Sequence, residues 1–288
     1  MNITVTGGSG FLGGHLIEEL KADSHEVVVL GRKSWDTLSG QEPPPESLDR
    51  AGAIVHLAGE PVAQRWNAEA KKRIRVSRVD GTRHLVNALS TLSRRPKILI
   101  CASAIGIYGD RGDEILTEES VTGAGYLAQV TEDWESAAHL AEALGIRVVL
   151  LRLGVVLGRD GGALSKMLPI FRLGLGGKLG NGRQWMSWIH VSDVTALIRY
   201  ALTADALRGP VNATAPNPVT NAEFTRTLAA AVHRPGVFPV PALALKLGYG
   251  EMASVILASQ RVMPVAAEAA GFHFRYPSVS GALADCVG

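Results

Sequence analysis

Three glycines, Gly7, Gly10 and Gly13, recur at every third position between a short apolar run, Ile3 to Val5, and a stripe of leucines, Leu12, Leu16 and Leu20. The run is too short for a helix and suits a strand, while the four-residue leucine spacing gives a helix one apolar face. A glycine-rich turn joining a strand to a helix is shaped to hold the pyrophosphate of a dinucleotide. Glycine lets the backbone approach the phosphates, and the unpaired N–H groups and positive dipole end of the helix attract their charge. Thr6, Gly7, Ser9, Gly10, Phe11, Leu12 and Gly13 are therefore candidate cofactor-binding residues. Glycines also occur in any tight strand-to-helix turn, so the context must support this reading.

The context begins at the second apolar run, Glu26 to Leu30, which completes a strand-helix-strand unit. Enzymes that bind NAD usually place an acidic side chain at the end of this second strand, on the ribose 2′-hydroxyl. Here the chain reads Leu30-Gly31-Arg32-Lys33. A guanidinium fork and an ammonium suit a 2′-phosphate, so Arg32 and Lys33 point to NADP(H). The alternative is a pair of ordinary surface cations.

Further apolar runs at Ala53 to Leu57, Ile98 to Ala102 and Val148 to Leu153 alternate with helical patterns. This rhythm predicts a parallel sheet with helices on both faces. Pro43-Pro44-Pro45 excludes a long helix between the second and third strands. A basic helix is expected over Ala68 to Leu92, with Leu85, Val86, Leu89 and Leu92 toward the sheet, and another over Ala124 to Leu144, ending at Gly145. A glycine-rich stretch, Gly154 to Gly182, then leads to a helix beginning at Val191, and turn residues punctuate short helices from Asn212 onward. The fold class read here is α/β: a Rossmann-type doubly wound parallel sheet with a smaller, mostly helical C-terminal lobe. Residues 1–158, with 186–213 returning to them, form the nucleotide-binding part; 159–185 and 214–288 form the lobe.

The 288 residues are 47% hydrophobic and carry 29 basic and 27 acidic side chains, a net charge of +2, with no basic block of the kind that tracks nucleic acid. Cys101 and Cys286 lack metal-ligand spacing, and no metal site is expected. No apolar run is long enough to span a bilayer and no leader-like segment opens the chain, so a cytoplasmic protein that avoids membranes is expected.

Longer motifs carry a resemblance. They include Thr6-Gly7-Gly8-Ser9-Gly10-Phe11-Leu12-Gly13, His56-Leu57-Ala58-Gly59-Glu60, Ser103-Ala104-Ile105-Gly106-Ile107-Tyr108-Gly109, Arg152-Leu153-Gly154, Trp188-Ile189-His190-Val191 and Asn212-Ala213-Thr214-Ala215-Pro216. The chain resembles, nearly end to end, the extended short-chain dehydrogenase/reductases, and more narrowly their atypical epimerase-like subfamily. That resemblance implies NADP(H) lying across the C-terminal edge of the sheet. Leu57, Ala58, Gly59 and Glu60 would run beside it, Ala102 would stand at the end of the fourth strand, and Arg78, with Arg73 second to it, would face the phosphates.

The same resemblance implies a tyrosine acid/base, a lysine four residues later and a serine or threonine on the fourth strand. A free phenol titrates near ~10, so only about one in a thousand is ionised at pH 7, and a nearby cation makes it a usable base. Here Val130 stands four residues after Tyr126, and the serine position falls on Ala104, with Ser103 one residue earlier. Ser103 and Tyr126 are the candidate catalytic residues that remain. Each has a plain alternative: a buried serine bonded to its surroundings, and a packed ring. His190 suits proton transfer near neutrality or structural hydrogen bonding, Asp193 suits a helix start, and Trp66 and Trp185 are the tryptophans best placed to face a ligand.

The resemblance implies an NADP(H)-binding oxidoreductase or nucleoside-diphosphate-sugar epimerase acting on a small molecule that the residues do not name. Beside it stands a non-catalytic NADP(H)-binding sensor or interaction protein, a role compatible with the link of some subfamily members to cell division. Relatives pair through the two long helices, leaving monomer or homodimer open.

Overall fold

The computed structural model describes residues 1–288. Its first half lays down β1 (Asn2–Thr6), α1 (Phe11–Ala22), β2 (Glu26–Leu30), β3 (Ala53–His56), α2 (Ala68–Arg75), α3 (Gly81–Thr91), β4 (Ile98–Ala104), β5 (Ile115–Leu116) and α4 (Tyr126–His139). There follow β6 (Arg147–Leu153), β7 (Val155–Leu157), α5 (Leu164–Arg172), β8 (Trp185–Met186), β9 (Trp188–His190), α6 (Val191–Thr203) and β10 (Gly209–Ala213). The chain ends with β11 (Val219–Thr220), α7 (Asn221–Ala231), α8 (Ala242–Tyr249), α9 (Ala253–Leu257), β12 (Arg261–Val262), α10 (Val265–Ala269) and α11 (Val279–Val287).

Six parallel strands form the central sheet in the order β10-β6-β4-β3-β1-β2. Apolar side chains cover both of its faces, as the uninterrupted Ile, Val and Leu runs require. Ala53, Val55, Ile98, Ile100, Val149 and Leu151 pack with Leu16 and Leu20 of α1 and with α6. Ile54, Leu99, Cys101, Val148 and Leu150 turn the other way, onto Leu85 and Leu89 of α3 and Trp134 of α4. Alternate residues of each strand thus serve opposite cores.

From β1 the chain steps to one side to make β2, then crosses back to the other side for β3, so the order reverses between β1 and β3. In open α/β sheets that reversal leaves a crevice at the strands' C-terminal ends. The crossover from β2 to β3 holds only a 3₁₀ turn, Pro45–Ser47, as the proline run requires.

The expected basic helix is two helices, α2 and α3, joined by a π turn over Val76–Asp80. The helix over 124–144 continues past α4 as a 3₁₀ segment to Leu144 and stops at Gly145 in the left-handed region, φ 78°. A separate core of Leu164, Leu168, Phe171, Trp188, Phe224, Leu228 and Leu283 gathers α5, α7 and α11 beside the sheet. No helix is long and apolar enough to cross a membrane.

Candidate functional site

The turn after β1 is built backbone against backbone. Gly7 has φ +71°, and a Cβ on it would come within 2.7 Å of the Ala58 nitrogen. On Gly13 a Cβ would meet the Gly7 carbonyl oxygen at 2.4 Å. Gly10 precedes α1 with no side chain to cap it, so the amides of the first turn must be satisfied from outside the helix. That helix end opens on a cavity of about 240 Å³ lined by Gly7, Ser9, Gly10, Arg32, Leu57, Ala58 and Gly59, with Leu30, Trp35, Asp36, Thr37 and Pro61.

Thr6 is fully buried and locks this turn to β3. Its hydroxyl accepts the N–H groups of Leu57 and Ala58, each at 3.2 Å, and lies 2.7 Å from Nδ1 of His56. His56 Nε2 is 3.2 Å from the Thr82 hydroxyl, which also accepts the Trp134 indole N–H. A Thr6 hydroxyl that donates to Nδ1 leaves the proton on Nε2, a neutral imidazole. Complete burial, with Arg78 nearby, pulls the His56 pKa down to about 4, so the ring stays neutral.

The cations of the crevice differ in freedom. Arg32 is 68% exposed, and its guanidinium is 3.9 Å from Glu60. Lys33 is exposed and lies outside the cavity lining. Arg73 is held by Glu60, Glu69 and Gln64. The π turn brings Ser77 and Arg78 together under the loop after β3, where Ser77 accepts the Glu60 N–H at 3.0 Å. Arg78 donates through Nη1 to the carbonyls of Glu60 and Ile74 and lies over the Trp134 ring. Its guanidinium is 3.3 Å from where a Cβ on Gly59 would stand. Burial lowers its pKa to about 10, against the opposing pull of Tyr126 and Glu60, so it remains charged at neutral pH. The Phe11 ring lies against Gly158, Gly161 and Gly162, and Phe11 is not part of the cavity lining. Leu12 packs against the core on the α1 side.

Ser103 and Tyr126 lie in separate surroundings. Ser103 is 2% exposed, and its hydroxyl donates to Glu135 at 2.5 Å; Ala102 beside it is also buried. Glu135 takes two further bonds from Arg152, both at 2.8 Å. Arg152 donates to the Tyr108 hydroxyl, which donates to Asn212 at 2.7 Å. Strand register creates this network, because Ser103 pairs with Arg152 and Arg152 with Asn212 at the ends of β4, β6 and β10. Sequence reasoning did not assemble it; the available signal was polar residues ending otherwise apolar strands.

Tyr126 opens α4. Its hydroxyl donates to the Lys71 carbonyl, its ring packs edge-on against Trp66, and the Lys71 ammonium lies 4.9 Å from its centroid. Burial raises its pKa above the ordinary phenol value, with Arg78 and Arg75 partly opposing. Tyr126 and Trp66 line a second cavity, about 390 Å³, closed on its far side by Glu251, Ser254, Val255, Ala258 and Gln260. Trp185 does not line it, but donates to Asp113 and carries Arg261 on its ring. His190 accepts the Ser192 N–H at the start of α6, and Asp193 accepts the amides of Arg275 and Tyr276; both tie elements together.

A parallel sheet reversing between β1 and β3, with an uncapped glycine-cradled helix at the reversal, defines a dinucleotide-binding fold of the doubly wound class. Residues 3–214 match the family model described as NAD dependent epimerase/dehydratase family, and 240–286 match a domain of unknown function, DUF1731. The chain is 41% identical to the chloroplastic epimerase family protein SDR39U1 homolog of Arabidopsis thaliana, over 98% of this chain and 86% of that protein. The crystal structure of human epimerase family protein SDR39U1 (isoform 2) with NADPH superposes with a TM-score of 0.91 at 32% identity, covering 100% and 99% of the two chains. A nucleoside-diphosphate sugar epimerase from Corynebacterium glutamicum is similar with a TM-score of 0.82 at 39% identity; this chain spans 58% of its length. The chain belongs to the NAD dependent epimerase/dehydratase family, and its relatives include the SDR39U1-like proteins.

Proposed function

We propose that the protein binds NADP(H) and acts as an oxidoreductase on a small alcohol or carbonyl compound. The observation that carries this reading is Arg32 lining the same cavity as the open end of α1, at the strand end where NAD enzymes place a carboxylate. The NADPH in the human relative's crystal supports it. Gly7, Ser9 and Gly10 would hold the pyrophosphate through backbone amides, Arg32 the 2′-phosphate, and Arg78 would supply positive charge under the Gly59 turn. The Asp36 carboxylate in this cavity accepts the Leu38 amide at 3.0 Å, so one of its oxygens is already engaged.

When bound, the nicotinamide supplies or accepts a hydride while the substrate oxygen gains or loses one proton. Tyr126 lines the second cavity with its phenol held protonated. A protonated phenol donates to a forming alkoxide but does not abstract a proton. The Lys71 ammonium replaces no family lysine, since it lies over the ring face and is bound to Glu251 at 2.6 Å.

One observation favours a second reading, a non-catalytic NADP(H) sensor: both candidate catalytic hydroxyls are already engaged, by Glu135 and by the Lys71 carbonyl. Isothermal titration tests the cofactor assignment common to both. NADP+ should bind more tightly than NAD+, and Arg32→Glu should weaken NADP+ by about 10- to 100-fold, the worth of a hydrogen bond to a charged group (~1.5–3 kcal/mol), while sparing NAD+. Equal affinities, or an unchanged NADP+ affinity in the variant, would remove the assignment.

A further inference from the structure

Two stretches of the chain, residues 161–182 and 224–250, contain no aspartate or glutamate. The fold lays them side by side. Phe238 donates its amide to the Gly176 carbonyl at 3.1 Å and Val240 to the Lys178 carbonyl at 2.9 Å, while Gly180 returns a bond to Val240 at 2.9 Å. Six apolar side chains project from this junction and from α8, which follows it. They are Leu173, Leu175, Val237, Phe238, Leu243 and Leu247, each between 53% and 74% exposed. Singly, such residues need no explanation, but gathered on adjoining segments they mark an interaction surface.

Four exposed cations stand on the same segments: Arg172, Lys178, Arg234 and Lys246. Arg234 donates through Nε to the Arg172 carbonyl at 3.1 Å, which sets its side chain against the end of α5. None of the four is paired with a carboxylate. Of the acids that bound these stretches, Asp160 is bound to His15 and Glu251 to Lys71, and Glu223 is half-buried in the first turn of α7. The backbone is also suited to losing water. Pro235, Pro239 and Pro241 have no N–H, and the Phe238 and Val240 amides are bonded inward, so this turn leaves few donors stranded in an apolar medium.

The character of the surface selects its occupant. A second copy of the chain would set these unpaired cations against themselves. A bound peptide needs a groove, whereas these side chains project, and neither cavity described above includes them. An anionic lipid surface answers both features, because its headgroups neutralise the cations while the leucines, valine and phenylalanine enter the boundary with the acyl chains.

We propose that the end of α5, the turn over 235–241 and α8 form a peripheral docking site for an anionic lipid bilayer. This departs from the expectation, drawn from the lack of a long apolar run and of a leader, that the protein avoids membranes. A surface that lies on a bilayer requires neither. The proposal stands apart from the cofactor assignment.

Co-sedimentation of the full chain with phosphatidylcholine vesicles, with and without phosphatidylglycerol, tests it. The chain should bind the mixed vesicles about tenfold or more tightly than the neutral ones. Arg172→Gln combined with Arg234→Gln should weaken that binding by about tenfold or more, and Leu243→Gln combined with Leu247→Gln should weaken it comparably. Arg94→Gln combined with Lys97→Gln removes the same charge from exposed positions elsewhere and should change binding by less than about twofold, since only charges near the bilayer feel its potential. All six positions are exposed, and thermal melts matching the parent show that each variant is folded. Equal binding to both vesicles, an unaltered leucine variant, or equal weakening in the Arg94 and Lys97 control would overturn the proposal. Self-association lost in the leucine variant, or polyglutamate binding lost in the arginine variant, without vesicle binding, would give the surface to a second copy or to an acidic protein and overturn it equally.

Discussion

Gly13 and Gly14 stand side by side in α1, yet alanine should act oppositely at the two positions. A Cβ on Gly14 meets nothing within 4 Å, so Gly14→Ala gains the helix-propensity difference of about 0.8–1 kcal/mol. Gly13→Ala gains the same amount but drives its methyl to 2.4 Å from the Gly7 oxygen and 2.7 Å from the Gly8 Cα. Both obstacles are backbone, so no rotamer change relieves them, and the turn must move at a cost of about 1–3 kcal/mol. Because the helix contribution cancels between the two variants, their stabilities should differ by about that 1–3 kcal/mol. At roughly 2–4 °C per kcal/mol the melting temperatures should separate by about 2–12 °C, Gly14→Ala above the parent and Gly13→Ala below Gly14→Ala. The displaced turn also carries the amide of Gly10, which donates to the Gly7 carbonyl at 3.0 Å. NADP+ affinity should therefore fall at least tenfold in Gly13→Ala and hold in Gly14→Ala. Thermal melts in parallel with calorimetric titration decide it: equal melting temperatures and unchanged affinity in both variants would refute the backbone-contact reasoning.

His56 makes stability pH-dependent. Its pKa is depressed from 6.5 to about 4 in the folded chain, so the unfolded chain binds the extra proton first and stability is lost as pH falls from about 6.5 to about 4, by up to about 3 kcal/mol. In His56→Asn that component should vanish, and urea midpoints at pH 7 and pH 4.5 should lie closer together than in the parent. Ser103→Ala removes one buried hydrogen bond to a charged acceptor; it should cost about 1–3 kcal/mol in urea denaturation and leave NADP+ affinity within about twofold. A fall in affinity at unchanged stability would instead put Ser103 on the ligand. Tyr126→Phe separates the two functional readings: an acid role predicts a loss of about 100-fold or more in kcat on an accepted substrate. A purely structural phenol predicts only about 0.5–1.5 kcal/mol of stability from the lost bond to the Lys71 carbonyl.

Local chemistry was legible residue by residue. The glycine spacing, the apolar strand runs, the leucine stripe of α1, the proline-rich crossover and the cap at Gly145 each act within a few residues of themselves, so reading along the chain located the parallel sheet and its phosphate-type turn. The start of α6 at Val191 and the structural use of Asp193 were legible for the same reason. Trp35, Asp36 and Thr37 went unnoticed beside Arg32, because their place in the cavity wall depends on how the irregular crossover folds back.

Tertiary structure alone decided which polar groups meet. Ser103 faces Glu135 and Arg152 because of the register between β4 and β6, and register follows from long-range packing that no local period encodes. The π turn re-aims Ser77 and Arg78 at the loop after β3, a shift that the 3.6-residue pattern of an ideal helix does not contain. The cavity at Tyr126 is closed by residues from the loop before α2, the chain after β4, the start of α4 and the region of α9, so it exists only once segments far apart in sequence have packed together.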